Sequence, residues 1–133
     1  TVVALDNHIL GKPQDEEQAQ KMLRMLSNRV HQVYTGYCIL KQSRCEIGVS
    51  CTSVEFYPLS DEDIESYIAT GEPFDKAGGY GIQSLGALLV RKIDGDFYNV
   101  VGLPIAEISR LLRTFGSSKT AAESNHEKES PTL

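Results

Sequence analysis

Two long β-forming runs separated by a short polar connector constrain this chain more than any other feature. Val30–Leu40 is rich in Val, Tyr, Thr and Ile, and Glu46–Tyr57 forms a second extended run, with Lys41–Arg44 lying between them. A connector this short permits an antiparallel hairpin and excludes a purely parallel sheet, whose strands need long crossovers. Within the second run Ile47, Val49 and Cys51 alternate, and the apolar parity then passes to Val54 and Phe56. A one-residue slip of that kind predicts a β-bulge near Cys51–Ser53.

The flanking segments supply the other layers. Thr1–Leu5 (TVVAL) reads as a buried strand, Asp6-Asn7-His8 as a turn, and Gly11-Lys12-Pro13 as a second break. Asp15 suits the N-cap of a helix running to about Leu26, with Ala19, Met22, Leu23 and Leu26 on one face. Ser60 with Asp63 forms a capping-box signal for a helix through about Thr70, and Gly71 suits its stop. Leu88–Ile93 and Phe97–Val101 flank Asp94-Gly95-Asp96, which predicts a hairpin. After Gly102-Leu103-Pro104 comes a final helix ending near Thr114 or Phe115. The segment 116–133 is rich in Ser, Glu and Lys and reads as a disordered tail. The fold class expected is therefore α/β (mixed α+β), in one domain over residues 1–115.

Composition narrows the function. No apolar run approaches the ~20 residues of a membrane span, and the first residues do not follow the signal-peptide pattern. The net charge of −5 argues against a nucleic-acid polymer as partner, because polymer binding rests on phosphate neutralisation by a basic surface. Small nucleotides are not excluded, since a few lysines can hold a triphosphate on an acidic protein. Cys38, Cys45 and Cys51 show no C-x-x-C pairing and read as reduced thiols, in keeping with a cytoplasmic location.

Four polar clusters fall on turns or glycine-rich loops, where functional groups are usually presented. Lys12 stands between Gly11 and Pro13, placed to face an anion. The run Glu72–Gln83 (EPFDKAGGYGIQ) combines glycines, whose backbone amides can approach phosphate oxygens, with Lys76 as a full positive charge. Asp75 or Glu72 could ligate Mg²⁺ or orient Lys76, and Gln83 offers the donor and acceptor that reading a base edge requires. A structural glycine-rich turn is the competing reading, since neither a Walker A loop nor G-x-G-x-x-G is present. Asn99, in Asn99–Pro104, suits either ligand binding or turn bonding. Gly36, in Tyr34-Thr35-Gly36, suggests a bulge or a close approach within a strand.

Taken together, TVVALD, ILGKP, VYTG, PLSDEDIESYIATGEPFDKAGGYGIQ and GDFYNVVGLP resemble the Maf family in content, order and approximate spacing, from Thr1 to about Leu112. FDKAGGYGIQ and NVVGLP are the specific parts of that match. The resemblance implies an elongated mixed β-sheet flanked by helices around a central cleft, similar to the inosine triphosphate pyrophosphatases. It implies hydrolysis of the α–β phosphoanhydride of nucleoside triphosphates with a divalent metal, expected to be Mg²⁺. Lys12 and Lys76 match the lysines that bind phosphate and offset transition-state charge. Thr1 and Gln83 match the positions of a subgroup that prefers dTTP and UTP, with Glu72 and Asp75 as further substrate-binding candidates.

The departures matter. Family chains open with a Ser-x-Ser-Pro-Arg-Arg-like loop that has no match here, and the family's catalytic Asp is expected immediately before Thr1. Asn7 and Ser84 stand where Gly is common. Residues 1–133 in isolation are thus expected to have little or no activity and to expose an apolar sheet face. The alternative function is a truncated, non-catalytic nucleotide-binding or interaction protein linked to control of septum formation. Expected partners are a nucleoside triphosphate, no membrane, no nucleic-acid polymer, and, as an open option, a second copy in a homodimer.

Overall fold

The computed structural model describes residues 1–117. A five-stranded sheet, ordered β2-β1-β3-β4-β5 and antiparallel throughout, carries helices against its inner face. The strands are β1 (Val2–Leu5), β2 (His8–Leu10), β3 (Val30–Lys41), β4 (Arg44–Phe56) and β5 (Val90–Asp94). The helices are α1 (Glu16–Leu26), α2 (Asp61–Ala69), the short α3 (Phe97–Val101) and α4 (Ile105–Ser117). Three 3₁₀ turns, Glu72–Asp75, Ala77–Gly79 and Ser84–Leu89, shape the glycine-rich loop.

The long hairpin forms as its composition dictates, pairing Val30 with Glu55 at one end and Lys41 with Arg44 at the other. At ~3.3 Å per residue it reaches roughly 40 Å, so one core cannot serve both ends. The larger core gathers Leu5, Leu23, Leu26, Val33, Val54, Phe56 and Ile64 beneath α1 and α2. A second, at the distal end, packs Ile39 against Ile108, Leu112 and Phe115 of α4. Tyr37 and Glu107 share a hydrogen bond there, which with burial raises the phenol to about 12.

Helix starts follow local chemistry. The Asp15 carboxylate accepts from the Gln18 amide at 2.8 Å, and Ser60 and Asp63 complete a reciprocal capping box. Gly71 then takes the left-handed φ of 77° that a side chain would oppose.

Four expectations are corrected. β4 has no bulge at Cys51–Ser53, since its register with β3 runs unbroken. The parity change instead reflects two faces: Thr52, Val54 and Phe56 are buried, whereas Ile47, Val49 and Cys51 are exposed on the other side. The register shift of this strand lies at Glu55/Phe56, against β5. Gly36 likewise makes neither a bulge nor a close approach, because a Cβ there would meet nothing within 4 Å.

Phe97–Val101 is a helix rather than a strand, so the second expected hairpin does not form. Asp96 accepts from the amides of Tyr98 and Asn99 and so caps a helical turn. His8–Leu10, read as turn and connector, is a strand. Asp6 and Asn7 both adopt positive φ (50° and 66°), the signature of a tight two-residue hairpin. The tail expected over 116–133 lies outside the described residues, except that α4 extends to Ser117.

Candidate active site

A cleft of about 240 Å³ opens where β1, β3, the glycine-rich loop and α3 meet. Five of the six candidate residues line it: Thr1, Lys12, Asp75, Lys76 and Gln83. They come from separated segments, and tertiary structure alone brings them together. Glu72, the sixth, is not among the lining residues. It stands behind the loop, hydrogen-bonded to the loop's own backbone.

The cationic side of the cleft is built around Asp75. Lys76 Nζ donates to Asp75 Oδ1 at 2.9 Å. That bond and the Lys76 charge, with a further contribution from Lys12, hold the Asp75 carboxyl below the usual carboxylate range. Lys76 is thereby oriented at the cleft, while its partner is an exposed carboxylate that a competing anion can displace at little cost.

The glycine-rich loop is pinned from below by an aromatic cluster. Tyr80 and the buried His31 share a hydrogen bond of 2.7 Å, and both rings pack edge-on against Phe56. Burial pulls the His31 pKa down to about 4 and pushes the Tyr80 phenol well above its usual range, so both groups are neutral at pH 7. Gly78 and Gly79 have φ of 76° and 80°, and a Cβ on Gly78 would press on Val3 at 3.0 Å. Conformation favours glycine at both positions, and space adds to it at Gly78.

The opposite wall was less visible in the sequence. Thr1 Oγ1 lies 2.8 Å from Thr35 Oγ1 and donates to the Gly102 carbonyl at 3.3 Å. Asn99, fully buried, does not face the cleft as a ligand group. Its Nδ2 donates to the Val33 carbonyl and to Thr52 Oγ1, each at 3.0 Å, which fastens α3 to the sheet. Thr35, singled out only as part of a strand motif, donates to the Asn99 carbonyl at 3.3 Å. Val100, Val101, Ile82 and Ala77 complete an apolar wall that carried no polar signal in the sequence.

Among the described residues, no three His, Cys, Asp or Glu side chains cluster to hold a metal ion. A cation caged by the described residues alone therefore does not fit. A divalent cation held mainly by a bound anion does fit, because it needs only one or two carboxylates, and Asp75 stands exposed at the cleft.

By fold and site, this is an α/β protein whose sheet and glycine-rich loop enclose a lysine-lined cleft. A profile of the Maf-like protein family matches residues 1–115, and the chain belongs to that family. It is 52% identical over 118 residues to a dTTP/UTP pyrophosphatase of Halalkalibacterium halodurans, covering 89% of this chain and 62% of the relative. It is 56% identical over 118 residues to a dTTP/UTP pyrophosphatase of Carboxydothermus hydrogenoformans, covering 87% and 63%. A Pyrococcus furiosus relative of the same description is 55% identical over 112 residues, covering 84% and 59%. The chain thus spans about 60% of the length of these relatives. No helix among the described residues is long and apolar enough to cross a membrane.

Proposed function

We propose that this cleft serves hydrolysis of nucleoside triphosphates at the α–β phosphoanhydride, releasing a monophosphate and pyrophosphate, with dTTP and UTP preferred. The observation that carries the reading is the convergence of Lys12 and Lys76 with Gln83 on one cleft. Two ammonium groups suit a triphosphate, and the Gln83 carboxamide in the same cleft suits the edge of a pyrimidine. The relatives described as dTTP/UTP pyrophosphatases support the same substrate class.

In this reading Lys12 and Lys76 bind the phosphates and offset the charge that grows as water attacks phosphorus. Asp75 orients Lys76 and is the residue that would help hold a phosphate-bound magnesium ion. When bound, that ion would supply further charge neutralisation on the phosphate oxygens. Thr1 and Gln83 flank the base. Free nucleotides rather than polymers are the substrates, in keeping with the acidic chain, and the protein works in the cytoplasm, where its three thiols stay reduced.

Turnover by residues 1–133 alone should be slight. Both carboxylates near the cleft are held below the usual range, Asp75 chiefly by Lys76 and Glu72 by its hydrogen-bond donors, which makes each a weak base toward water. The cleft is also below the ~300–1,000 Å³ usual for small-ligand sites. The test is pyrophosphate release from a panel of nucleoside triphosphates with Mg²⁺, comparing this chain with one extended to the length of its relatives. Release from dTTP and UTP by the extended chain supports the proposal, and no release by either chain overturns it. A non-catalytic, nucleotide-binding role is the second reading, favoured by the weak basicity of the same two carboxylates.

A further inference from the structure

The loop that carries Lys76 and Gln83 is closed on itself by two side chains that do not enter the substrate chemistry proposed above. Tyr67 Oη accepts the Gly81 N–H at 3.0 Å and donates to Glu72 Oε1 at 2.8 Å. The same carboxylate oxygen accepts the Gly86 N–H at 3.1 Å. The nearby Ser84 and Leu85 add to the stabilisation of this carboxylate. Burial opposes a charge on Glu72, but these donors outweigh it and hold the carboxyl below the usual range.

Gln83 sits inside this ring of contacts. Its neighbour Ser84 is held at φ 64°, a left-handed conformation that a serine adopts only when its surroundings enforce it. Gly81 and Gly86 close the ring, with so little space that a Cβ on Gly86 would lie 2.9 Å from Tyr67 Oη. The path of residues 81–86 is therefore determined by Tyr67 and Glu72, and with it the direction from which Gln83 reaches the cleft.

We propose that Tyr67 and Glu72 are positioning residues for base selection, aiming Gln83 by clamping the Gly81–Gly86 turn without touching the nucleotide. The inference rests on the reading of Gln83 as the group that meets the base. It assigns Glu72 neither to phosphate nor to metal, because its carboxylate is already filled by loop donors. A displaced Gln83 would lose the base edge, whereas Lys12 and Lys76 would still hold phosphates.

The test is calorimetric binding to the full chain of α,β-imido analogues of dTTP, UTP, ATP and GTP, alongside inorganic tripolyphosphate, which has no base. The proteins are wild type, Tyr67→Phe, Glu72→Gln and Gln83→Ala. Tyr67→Phe and Glu72→Gln should lower the preference for dTTP and UTP over the purines about tenfold, as one lost hydrogen bond to the base would. Tripolyphosphate affinity should stay within about twofold. Should Glu72→Gln fail to fold, Tyr67→Phe, which removes one oxygen, carries the test. If Gln83→Ala erases the preference while Tyr67→Phe and Glu72→Gln keep it, the positioning role is overturned and the reading of Gln83 stands. An equal fall for base-bearing and base-free ligands also overturns it, leaving a structural role only. If wild type binds no analogue, or Gln83→Ala leaves the ranking intact, the base-reading assignment fails and this inference fails with it.

Discussion

Gly86 and Gly81 meet without room for a methyl group: a Cβ on Gly86 would lie 1.8 Å from the Gly81 carbonyl oxygen. Backbone cannot yield as a flexible side chain can, so Gly86→Ala should destabilise the fold by about 3 kcal/mol, the upper end for overpacking. Gly36→Ala meets open space and should cost no more than ~0.5 kcal/mol, as for an ordinary surface change. Urea unfolding of the two variants beside wild type checks the contrast, and equal midpoints would refute the loop closure.

The buried imidazole makes stability depend on pH. The folded-state pKa of His31 falls from 6.5 to about 4 through burial, so the unfolded chain takes up the proton first as pH drops. Its contribution is complete above about pH 6.5 and is lost as pH falls toward 4, where the loss levels off. Between pH 7 and 4.5 this amounts to about 2 kcal/mol. His31→Gln should remove that part of the acid sensitivity, read as the difference between wild-type and variant unfolding free energies across the window. An unchanged slope would mean that the imidazole is not responsible.

Lys76 has a half-exposed side chain and, among the described residues, one ionic partner, so its loss should leave folding within ~0.5 kcal/mol. In the chain extended to the length of the relatives, Lys76→Ala should lower kcat by about 10²-fold or more, because a cation at the developing phosphate charge is removed. Unaltered turnover would take Lys76 out of the site.

The outer face of the β3–β4 hairpin is apolar and uncovered: Leu40, Ile47 and Val49 are 72%, 76% and 64% exposed. Contiguous exposed apolar side chains favour association. Residues 1–133 should therefore show concentration-dependent association in sedimentation velocity, and the double variant Ile47→Lys, Val49→Lys should reduce it. A monomer at every concentration would contradict this.

The candidate cleft was partly legible because its residues are marked by local sequence features. Lys12 between Gly and Pro, and Lys76 beside Asp75 among glycines, announce themselves by residue type and spacing, and five of the six candidates do line one cleft. Glu72 was harder to place, since a carboxylate in such a loop reads equally as ligand or brace. Its hydrogen bonds to Tyr67 and Gly86 are the observation on which the brace reading rests.

By itself the sequence determined the elements whose causes lie within a few residues. These are the α1 and α2 caps at Asp15 and Ser60, the β3–β4 hairpin, and the left-handed Gly71. Tertiary structure decided what depends on distant partners. It placed Ile47 and Val49 on an open face rather than around a bulge, and it fastened α3 to the sheet through Asn99 where a hairpin was expected. It also buried Asn99 and His31, and brought Thr1, Lys12, Lys76 and Gln83 to one cleft. Capping and turn energies act along the chain, whereas burial and cross-strand hydrogen bonds act between segments whose meeting no local pattern encodes.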